Sequence, residues 1–506
     1  MATTLPRVRQ ARLAMVGFGC NQAFLFTMLY LGTFNEGGQH GFFLDRADLL
    51  CVLVAMVATF VLMLQEGARA RLMGAAQWLV RTLGIPLVGA LFVLVGLRWA
   101  LPGASWLLFA VLEGLLAGIP LALLLCLWGR VLGEASIDQS VPEVFIGSAL
   151  GAAVCFFVVA IPFAQAYVAL YILPLGSAWA LRCLQRTSGD SAEEAQRAEE
   201  DTRMTPAHTE GESANRASES DEATKLTGRI IGGTAVYGLA TGAVEALSAS
   251  AQQSAYTALS VTFVLFVLYC AAALQLYGGK PLGPGVRAVL PTAPDQEVGP
   301  LGGAYRLALL LMVGGFIAVP LLESVGVSGV AVVLAGYLGI FSVLISLFLI
   351  MGRLAGRDTV RSFSRGFAAL FAGEIGGVVI GGVIAALPGT FDVTAALVAV
   401  AGVAVMYTYL FLFTDRDMAA LSVVVAQTDR FDEVCERIAA QAKLSKRERE
   451  ILPLALRGRT AERIASEFFI SKNTVDTHLR RIYAKCDVHT RQELIDLSER
   501  VEAELS

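Results

Sequence analysis

Long apolar segments alternate with short polar segments along the chain up to about residue 414. Each apolar run holds about 18–22 residues, the length at which a helix crosses roughly 30 Å of hydrocarbon. Lipid cannot satisfy open backbone groups, so the runs predict helices rather than strands. The pattern predicts an all-α fold with twelve membrane spans, near residues 13–33, 47–64, 83–101, 105–128, 143–161, 164–181, 229–247, 256–277, 304–322, 329–351, 367–386 and 395–413.

The composition of the 506-residue chain is more apolar than that of a soluble protein. Hydrophobic residues make up 56% of the chain, charged residues make up 16%, and the mean hydropathy is +0.63. Soluble domains are about 45–50% apolar and about 25% charged. The net charge of −4 sums unlike regions and says little about partners. Composition therefore indicates a lipid bilayer as a partner of most of the chain.

Cysteine and histidine patterns argue against a metal site and against a disulfide framework. The eight cysteines lack metal-site spacing, several lie within apolar runs, and there are only four histidines. We expect free thiols, no metal and no cofactor. The chain also lacks the phosphate-binding pattern G-x-x-x-x-G-K-[ST] and a convincing nucleophile with its base. An enzyme is therefore not predicted.

Arginines concentrate in alternate loops between the predicted spans. Under the positive-inside rule these loops face the cytoplasm, which predicts a multi-pass protein of the bacterial cytoplasmic membrane with both termini inside the cell. Arg46 and Arg98 are exceptions on the opposite side. The arginines of the cytoplasmic loops are Arg7, Arg9 and Arg12, then Arg69, Arg71 and Arg81, then Arg353, Arg357, Arg361 and Arg365.

A long polar segment divides the spans into two groups of six. The segment RTSGDSAEEAQRAEEDTRMTPAHTEGESANRASESDEATK has no aromatic residue, and its acids outnumber its bases. Such a composition buries too little apolar surface to offset chain entropy, so the segment is predicted to be disordered. The predicted units are a first six-span half over residues 1–182, an acidic linker over 183–228 and a second half over 229–414.

This layout of six spans, a long cytoplasmic connection and six spans resembles the major facilitator superfamily. The resemblance covers residues 1–414 and implies two pseudo-repeated halves around a central cavity. The loop after the second span, EGARARLMG, keeps the glycine and arginines of the superfamily's signature loop but lacks its aspartate. This departure argues against an ordinary transport cycle.

Five polar residues within the predicted spans are candidates for a ligand cavity. Asn21 and Gln22 lie in the first span, Glu113 in the fourth, Glu245 near the end of the seventh and Glu374 in the eleventh. Buried acids in a bilayer are costly and usually face a cavity or a partner. The resemblance places the first, fourth and seventh spans beside the cavity, which predicts a small-molecule or proton site. Hydrogen bonding between helices is the other interpretation.

The chain changes character after Asp415. Residues 415–440 have a mixed composition that predicts an amphipathic connector helix, and residues 441–506 predict four short helices. Ser445 and Glu448 form a capping-box pattern at the start of the first helix. Gly458 is placed to end that helix. Thr460 and Ser471 are predicted to cap the second and third helices.

The predicted third helix has a buried face and a polar, basic face. Val475, Leu479 and Ile482 recur at i, i+4 and i+7 and predict the core face. Two helices joined by a tight turn, the second with such a polar face, are the arrangement in which a helix-turn-helix enters the major groove. The predicted DNA-binding residues are Lys472, Asn473, Thr474, Asp476, Thr477, Arg480, Arg481 and Lys485.

This C-terminal stretch resembles the LuxR-type helix-turn-helix domain over about 55 residues. The matching residues are LSKRERE, Gly458, ERIA, FIS, NTVDTHLRRIY, Lys485, Val488 and RQEL. The resemblance implies binding of double-stranded DNA by residues 472–485.

Individual roles follow from the same resemblance. Asp476, Thr477 and Arg480 fall at groove-facing positions, while Thr474 and Lys485 fall towards the phosphates. An acid such as Asp476 departs from the basic residue frequent at that position, although it can accept a hydrogen bond from cytosine N4. The resemblance also implies a homodimer, which we expect to pair through Leu494, Leu497 and Val501 of the fourth helix.

Three functions are consistent with these parts. In the first, the protein is a membrane-bound transcription regulator whose bundle senses a small molecule or a membrane state and controls the helix-turn-helix. In the second, it is a secondary transporter with a regulatory DNA-binding tail. In the third, the bundle is only an anchor. The close match of the tail to its family pattern, set against the altered loop after the second span, favours the first.

Overall fold

The computed structural model describes residues 4–31, 47–101, 106–135, 137–161, 166–197, 216–248, 255–277, 300–324, 329–354, 359–386, 393–412, 431, 433–468 and 470–505. Within these ranges every regular element is helical, which confirms the predicted fold class. The chain divides into two compact units, each of which is described separately below. The first, called the membrane unit, comprises Met1–Gln185 and Thr224–Ser422. The second, called the C-terminal unit, comprises Arg186–Ala223 and Val423–Ser506.

The first half of the membrane unit begins with helix α1, which continues as a π-helical turn over Thr27–Leu31. The predicted break between the fifth and sixth spans is confirmed, since α6 ends at Val159 and a 3₁₀ helix over Ala166–Ile172 leads into α7. The helices are α1 (Thr4–Phe26), α2 (Ala47–Met63), α3 (Glu66–Arg81), α4 (Ile85–Ala100), α5 (Trp106–Glu134), α6 (Ile137–Val159) and α7 (Leu173–Arg197).

The second half repeats the pattern of long helices. Its last helix continues as a π-helical turn over Thr408–Leu412. The helices are α8 (Arg216–Ser248), α9 (Ala255–Tyr277), α10 (Pro300–Ser324), α11 (Gly329–Leu354), α12 (Thr359–Ala386) and α13 (Val393–Tyr407).

Each of the twelve predicted spans overlaps a helix within the described residues. By length and apolarity, eight helices within the described residues are candidate membrane spans on their own, or nine if α3 and α4 together form one bent span. The predicted second and twelfth spans lie on shorter apolar helices, Leu49–Met63 and Ala396–Phe411. The predicted seventh span lies on α8, whose first turns are polar. The number of membrane crossings therefore stays a prediction.

Close glycine contacts join neighbouring helices in both halves of the membrane unit. A Cβ added at Gly151 of α6 would lie 2.8 Å from the backbone nitrogen of Ala23 in α1. The seam between α8 and α12 is tighter still. Added Cβ atoms at Gly238 and Gly373 would each lie 2.0 Å from a carbonyl oxygen of the facing helix. The backbones therefore approach too closely for any larger residue.

The two halves of the membrane unit also contact each other through aromatic side chains. Phe60 of α2 stacks on Phe371 of α12 with ring centroids 6.2 Å apart. Phe26 of α1 packs edge-on against Phe266 of α9, with centroids 5.9 Å apart. Such pairs add directional attraction to the burial of apolar surface.

Two segments differ from the predicted loops and linkers. The loop predicted after the second span forms helix α3, because Ala, Leu, Arg, Met and Gln in EGARARLMGAAQWLVR are strong helix formers. Helical backbone also enters the segment predicted to be disordered, where α7 runs to Arg197 and α8 begins at Arg216. Glutamate and alanine favour helices there too. Residues 198–215 of the predicted linker lie outside the described residues.

The C-terminal unit contains the four predicted helices and one further helix before them. Residues 433–441 form α14, and the others are α15 (Lys446–Leu456), α16 (Ala461–Phe468), α17 (Lys472–Lys485) and α18 (Arg491–Leu505). Val434, Cys435 and Ile438 of α14 join the same buried core as the four later helices. Most of the predicted connector, residues 415–430, lies outside the described residues. Its last part belongs to the domain core, which is a difference from the predicted boundary at residue 441.

Candidate nucleic-acid interface

Helix α17 is held in the C-terminal unit by its apolar face. Val475 and Ile482 have no exposed surface, and Leu479 packs partly buried against the same core. Ile451 of α15 and Ile464 of α16 complete the layer beneath the helix, with no exposed surface either. The predicted core face of this helix is thereby confirmed.

The turn before α17 is closed by local hydrogen bonds. The backbone N–H of Ile470 donates to the carbonyl oxygen of Ala465 over 3.0 Å. Ser471 caps α17, since its Oγ accepts from the Thr474 backbone N–H over 3.2 Å. The Ser471 and Thr474 hydroxyls lie 2.8 Å apart and also share a hydrogen bond. The free N–H groups of the first turn and the helix dipole make this end favourable for a phosphate.

Most predicted DNA-binding side chains lie on the exposed side of α17. The Thr477 hydroxyl donates to the carbonyl oxygen of Asn473 over 2.8 Å, which fixes its rotamer on that face. Asp476 is half-buried between the exposed and the core faces. The exposed members of the predicted set are Lys472, Asn473, Thr474, Thr477, Arg480, Arg481 and Lys485.

The two lysines at the ends of α17 have different partners. Lys485 Nζ lies 2.6 Å from Oε2 of Glu448 in α15, whose side chain is 2% exposed. The same Glu448 oxygen accepts from the Ser445 backbone N–H over 2.7 Å, so one carboxylate caps α15 and anchors α17. Lys472 pairs with Glu462 of α16, and both of these side chains are exposed. Lys485 therefore anchors α17 to α15 within the domain, whereas Lys472 is accessible to phosphate.

These contacts shift pKa values in the directions expected of ion pairs. Burial alone would raise the pKa of Glu448, but hydrogen bonds from Lys485 and Ser445 outweigh it and hold the pKa below its usual value. The hydrogen bond between Lys472 and Glu462 raises the pKa of the lysine and lowers that of the glutamate.

Burial, followed by the positive charge of Arg481, lowers the pKa of His478. The neutral form of His478 is thus favoured.

The predicted helix caps are confirmed by the structure. Thr460 Oγ1 accepts from the backbone N–H of Arg463 over 3.3 Å at the start of α16. Gly458 has a φ of +78°, a conformation that glycine adopts readily at the end of a helix.

Sequence reasoning missed Arg491. Its guanidinium donates to the carbonyl oxygens of Ala455 and Arg459, each over 2.6 Å, and so joins α18 to the end of α15. Neither this contact nor the Glu448–Lys485 pair leaves a signal in the sequence, because the partners lie 36 and 37 positions apart.

Leu494, Leu497 and Val501, the predicted dimer contact of α18, pack against the core of their own domain, and the pairing of two copies stays a prediction. Leu494 has no exposed surface, Val501 is 4% exposed, and Leu497 packs partly buried against the same core. An apolar stripe on a helix predicts burial, but it does not say whether the partner is the same chain or a second copy. Here the stripe packs within its own domain.

Glu113 of the bundle is engaged with neighbouring helices. The Tyr171 hydroxyl donates to Oε1 of Glu113, and Arg98 Nη1 lies 3.6 Å from its Oε2. Glu113 is 9% exposed. These contacts join α4, α5 and the 3₁₀ turn before α7, which fits the interpretation as hydrogen bonding between helices.

Glu374 and Glu245 fall in one buried polar cluster of the membrane unit. The Tyr337 hydroxyl of α11 donates to Oε2 of Glu374 in α12 over 2.8 Å. Tyr337 also interacts electrostatically with Glu245 of α8 and with Tyr30 at the end of α1. The cluster therefore draws on both halves of the bundle. The two tyrosines were not predicted, because a tyrosine in an apolar run resembles any other core aromatic.

Asn21 and Gln22 are buried in α1 with 1% and 0% exposure. Within the described part of the chain, their amide oxygens and nitrogens have no hydrogen-bond partner. Buried polar atoms of this kind usually bind water or a ligand. As for metals, no group of three or more histidine, cysteine, aspartate or glutamate side chains that could hold an ion is found among the described residues.

Solved structures similar to this chain are membrane transporters. The crystal structure of a bacterial homologue of the iron transporter ferroportin, in an outward-facing state, matches 83% of this chain and 99% of its own length at 14% identity and a TM-score of 0.47. The major facilitator superfamily transporter FucP, in the outward conformation, matches 80% of this chain and 99% of its own length at 13% identity and a TM-score of 0.43.

Similar sequences are found for the C-terminal unit. The monoamine regulon transcriptional regulator of Klebsiella aerogenes is 34% identical over 96 residues, 19% of this chain and 42% of that protein, so the chain spans less than half of that relative. The uncharacterized response regulatory protein YgeK of Escherichia coli (strain K12) is 39% identical over 64 residues, 13% of this chain and 44% of YgeK.

A shorter relative is matched over most of its length. The spore germination protein GerE of Bacillus subtilis (strain 168) is 41% identical over 63 residues, 12% of this chain and 85% of GerE. The family model for bacterial regulatory proteins of the luxR family matches residues 442–498, which contain the capped and anchored helix α17. Through this C-terminal domain, the chain belongs to the luxR family of bacterial regulatory proteins.

Proposed function

We propose that the protein is a membrane-bound transcription regulator that reads double-stranded DNA with α17. The observation that carries this proposal is the exposed polar and basic face of a helix that is capped by Ser471 and anchored by Lys485. Side chains in the major groove specify bases, whereas those at the helix ends hold phosphates. In this proposal Arg480 reads a base edge and Lys472 binds a phosphate.

Selection of bound duplexes from random DNA, with the full-length protein in nanodiscs, tests this function. The wild type should enrich a defined sequence, and Arg480→Ala should weaken binding by about 1–3 kcal/mol and relax the preference at one position. Arg500→Ala is the matched control, because Arg500 is exposed on α18 rather than on α17. Absence of any enriched sequence, or equal effects of the two substitutions, would refute the proposal.

Access to the chromosome requires the C-terminal unit to lie in the cytoplasm. The arginine-rich alternate loops support that orientation, with both termini inside the cytoplasmic membrane. A reporter enzyme active only in the cytoplasm, fused after Ser506, should be active, and one active only outside the membrane should be inactive. The opposite result would place the domain on the wrong side for this function.

The bundle is the proposed sensor. The cluster of Tyr30, Glu245, Tyr337 and Glu374 supports this role, since it draws on both halves and so is sensitive to their relative position. A small molecule can act only by binding two arrangements of the bundle with different affinity. In this proposal Glu374→Gln changes transcription of the target genes without changing DNA affinity of the protein in detergent.

Parallel uptake measurements distinguish the sensor from a transporter. Substrate accumulation in vesicles that Glu374→Gln abolishes would favour a secondary transporter with a regulatory tail. Full regulation by residues 423–506 alone would reduce the bundle to an anchor.

Homodimeric binding through the outer face of α18 is also part of the proposal. The outer face of α18 carries charged and polar side chains, among them Gln492, Asp496 and Glu499. A pairing through that face would therefore be polar and salt-sensitive. Mass measurements of the complex on DNA should give two copies per site, and one copy on every selected sequence would contradict it.

A further inference from the structure

Helix α3 turns sharply away from the helix that follows it. The axes of Glu66–Arg81 and Ile85–Arg98 differ by 84°. The turn is formed by Leu83 and Gly84, whose φ angles of 54° and 68° are both in the left-handed region. If α4 crosses the bilayer near its normal, α3 lies parallel to the membrane plane. Its length of about 24 Å, at 1.5 Å per residue, runs along the surface.

The inner face of α3 is fixed to the bundle. Ala76, Leu79 and Val80 are buried, and the helix packs against α5 and α2. Its C-terminal end is held by Arg182 of α7, whose Nη1 donates to the carbonyl oxygen of Arg81 over 3.0 Å. The helix is therefore a rigid part of the membrane unit with one remaining free face.

The outer face of α3 combines a tryptophan with arginines. Trp78 is 55% exposed, and Arg71 and Arg81 are exposed as well. Gly67 and Gly74 have nothing within 4 Å of an added Cβ, so the face is open around these side chains. Tryptophan prefers the level of the lipid headgroups, and arginine at that level pairs with phosphate.

The charge of α3 favours an anionic partner. The helix contains three arginines against a single glutamate, Glu66, which already lies 3.7 Å from Arg69. Arg71 and Arg81 are thus the cations that an outside ligand can reach. A basic segment next to a membrane attracts anionic lipid, and each exposed arginine adds to that attraction.

We propose that the outer face of α3 is a binding site for anionic phospholipid headgroups, with Trp78 inserted at headgroup depth and Arg71 and Arg81 bound to lipid phosphate. The site is independent of DNA binding and of any ligand in the bundle. It assigns a role to the segment that departs from the superfamily's signature loop.

Quenching of Trp78 fluorescence by brominated lipids tests this site in the full-length protein in nanodiscs. The chain has five tryptophans, so the Trp78 signal is taken as the difference between the wild type and Trp78→Phe. At equal mole fraction, a brominated anionic lipid should quench this signal at least twofold more than a brominated zwitterionic lipid. Bromine near the headgroup should quench more than bromine near the chain end.

Charge variants complete the test. The double variant Arg71→Gln with Arg81→Gln should remove the preference for anionic lipid while leaving quenching by zwitterionic lipid, and Arg500→Gln should change neither. Equal quenching by both lipids would overturn the site. Stronger quenching from the chain end would show a helix inserted into the bilayer instead. Loss of the preference on adding free inorganic phosphate would show an ordinary anion site rather than a lipid surface.

Discussion

The two units of the molecule place their large apolar side chains in opposite ways. In the membrane unit many such side chains face outward, among them Ile317 at 71%, Val403 at 69% and Phe157 at 69% exposure. Among the side chains described between residues 433 and 505, no large apolar one is exposed. Polar groups show the converse, since Gln22 and Glu374 are fully buried in the bundle, whereas Asn473 and Arg480 are exposed on α17.

This contrast shows that each unit is built for a different solvent. An exposed apolar surface of that extent would be a liability in water but is the normal surface of a helix in lipid. The C-terminal unit follows the ordinary rule of an apolar core and a charged surface. One chain thus joins a lipid-facing body to a water-facing, DNA-binding domain, and substitutions should act according to the solvent that each unit faces.

The largest expected effect is on the core of the C-terminal unit. Ile482→Ala removes a fully buried side chain and leaves a cavity, which should lower the free energy of unfolding of this unit by about 2–5 kcal/mol. Protease protection of residues 433–505 in the full-length protein measures this change. Gln492→Ala, on the exposed side of α18, should leave protection unaltered. An equally large loss in the membrane unit would show that the two units do not fold independently.

Introducing a charge on the exposed surface distinguishes the solvents of the two units most directly. Val403→Lys places a cation on the lipid-facing side of α13 and should cost about 2.5–3.5 kcal/mol of insertion free energy. The yield of membrane-integrated protein measures this cost, with Val403→Leu as the matched apolar control. Gln492→Lys makes a similar change on the C-terminal unit and should have no effect. Equal yields for Val403→Lys and the wild type would mean that this surface does not contact lipid.

The carboxylate that anchors α17 should matter more than an exposed one. Glu448→Ala removes both the helix cap and the partner of Lys485, and should cost about 2 kcal/mol of unfolding free energy. Glu448→Gln can still accept from the Ser445 backbone N–H and should lose less. Chemical denaturation followed by protease protection ranks the two variants. If both behave like Glu462→Gln at the exposed pair, the buried position of Glu448 has no special role.

Substitutions of the two lysines at the ends of α17 should affect different properties, one DNA binding and the other stability. Lys472→Gln should leave stability unchanged, weaken DNA binding and reduce the slope of log affinity against log salt by about 0.9, as expected for the loss of one phosphate contact. Lys485→Gln should lower stability and leave that slope unchanged. Titrations at several salt concentrations provide the slopes. Identical slopes for the two variants would contradict the assignment of Lys485 as the residue that anchors α17 to α15.

The smallest expected effect is on the pH dependence of stability. The pKa of Glu448 lies below its usual value of 4.5 in the folded protein. A depressed carboxyl pKa contributes stability that is present above the unfolded pKa and lost as pH falls through the folded pKa. The advantage of the wild type over Glu448→Gln should therefore shrink below about pH 4.5. A constant difference between the two proteins from pH 7 to pH 3 would contradict this.

Periodic and local features of the structure could be predicted from the sequence. Apolar runs located the helices of the bundle, and the capping residues Ser445, Thr460 and Ser471 located the helix starts of the C-terminal unit. Val475 and Ile482 marked the buried side of α17 because helical spacing is a strong signal. The exposed face of the candidate site followed from the same spacing.

Features that depend on tertiary contacts could not be predicted. Arginine clustering after the second span predicts its side of the membrane but not its conformation, so the sequence predicts a loop where the structure has α3. The stripe of Leu494 and Val501 looks the same whether it packs within the domain or against a copy. The pairing of Lys485 with Glu448, and of Tyr337 with Glu374, joins residues brought together only by the fold.

The glycine seam between α8 and α12 limits how the bundle can move. The carbonyl oxygen of Glu374 lies only 2.2 Å from where a Cβ of Gly242 would be, and Glu245 is one turn further along α8. Sliding one helix past the other would first require the backbones to separate, so the two helices move together as one rigid unit. Any signal that starts at Glu245 or Glu374 is therefore transmitted by both helices at once, with the spacing of the two acids preserved.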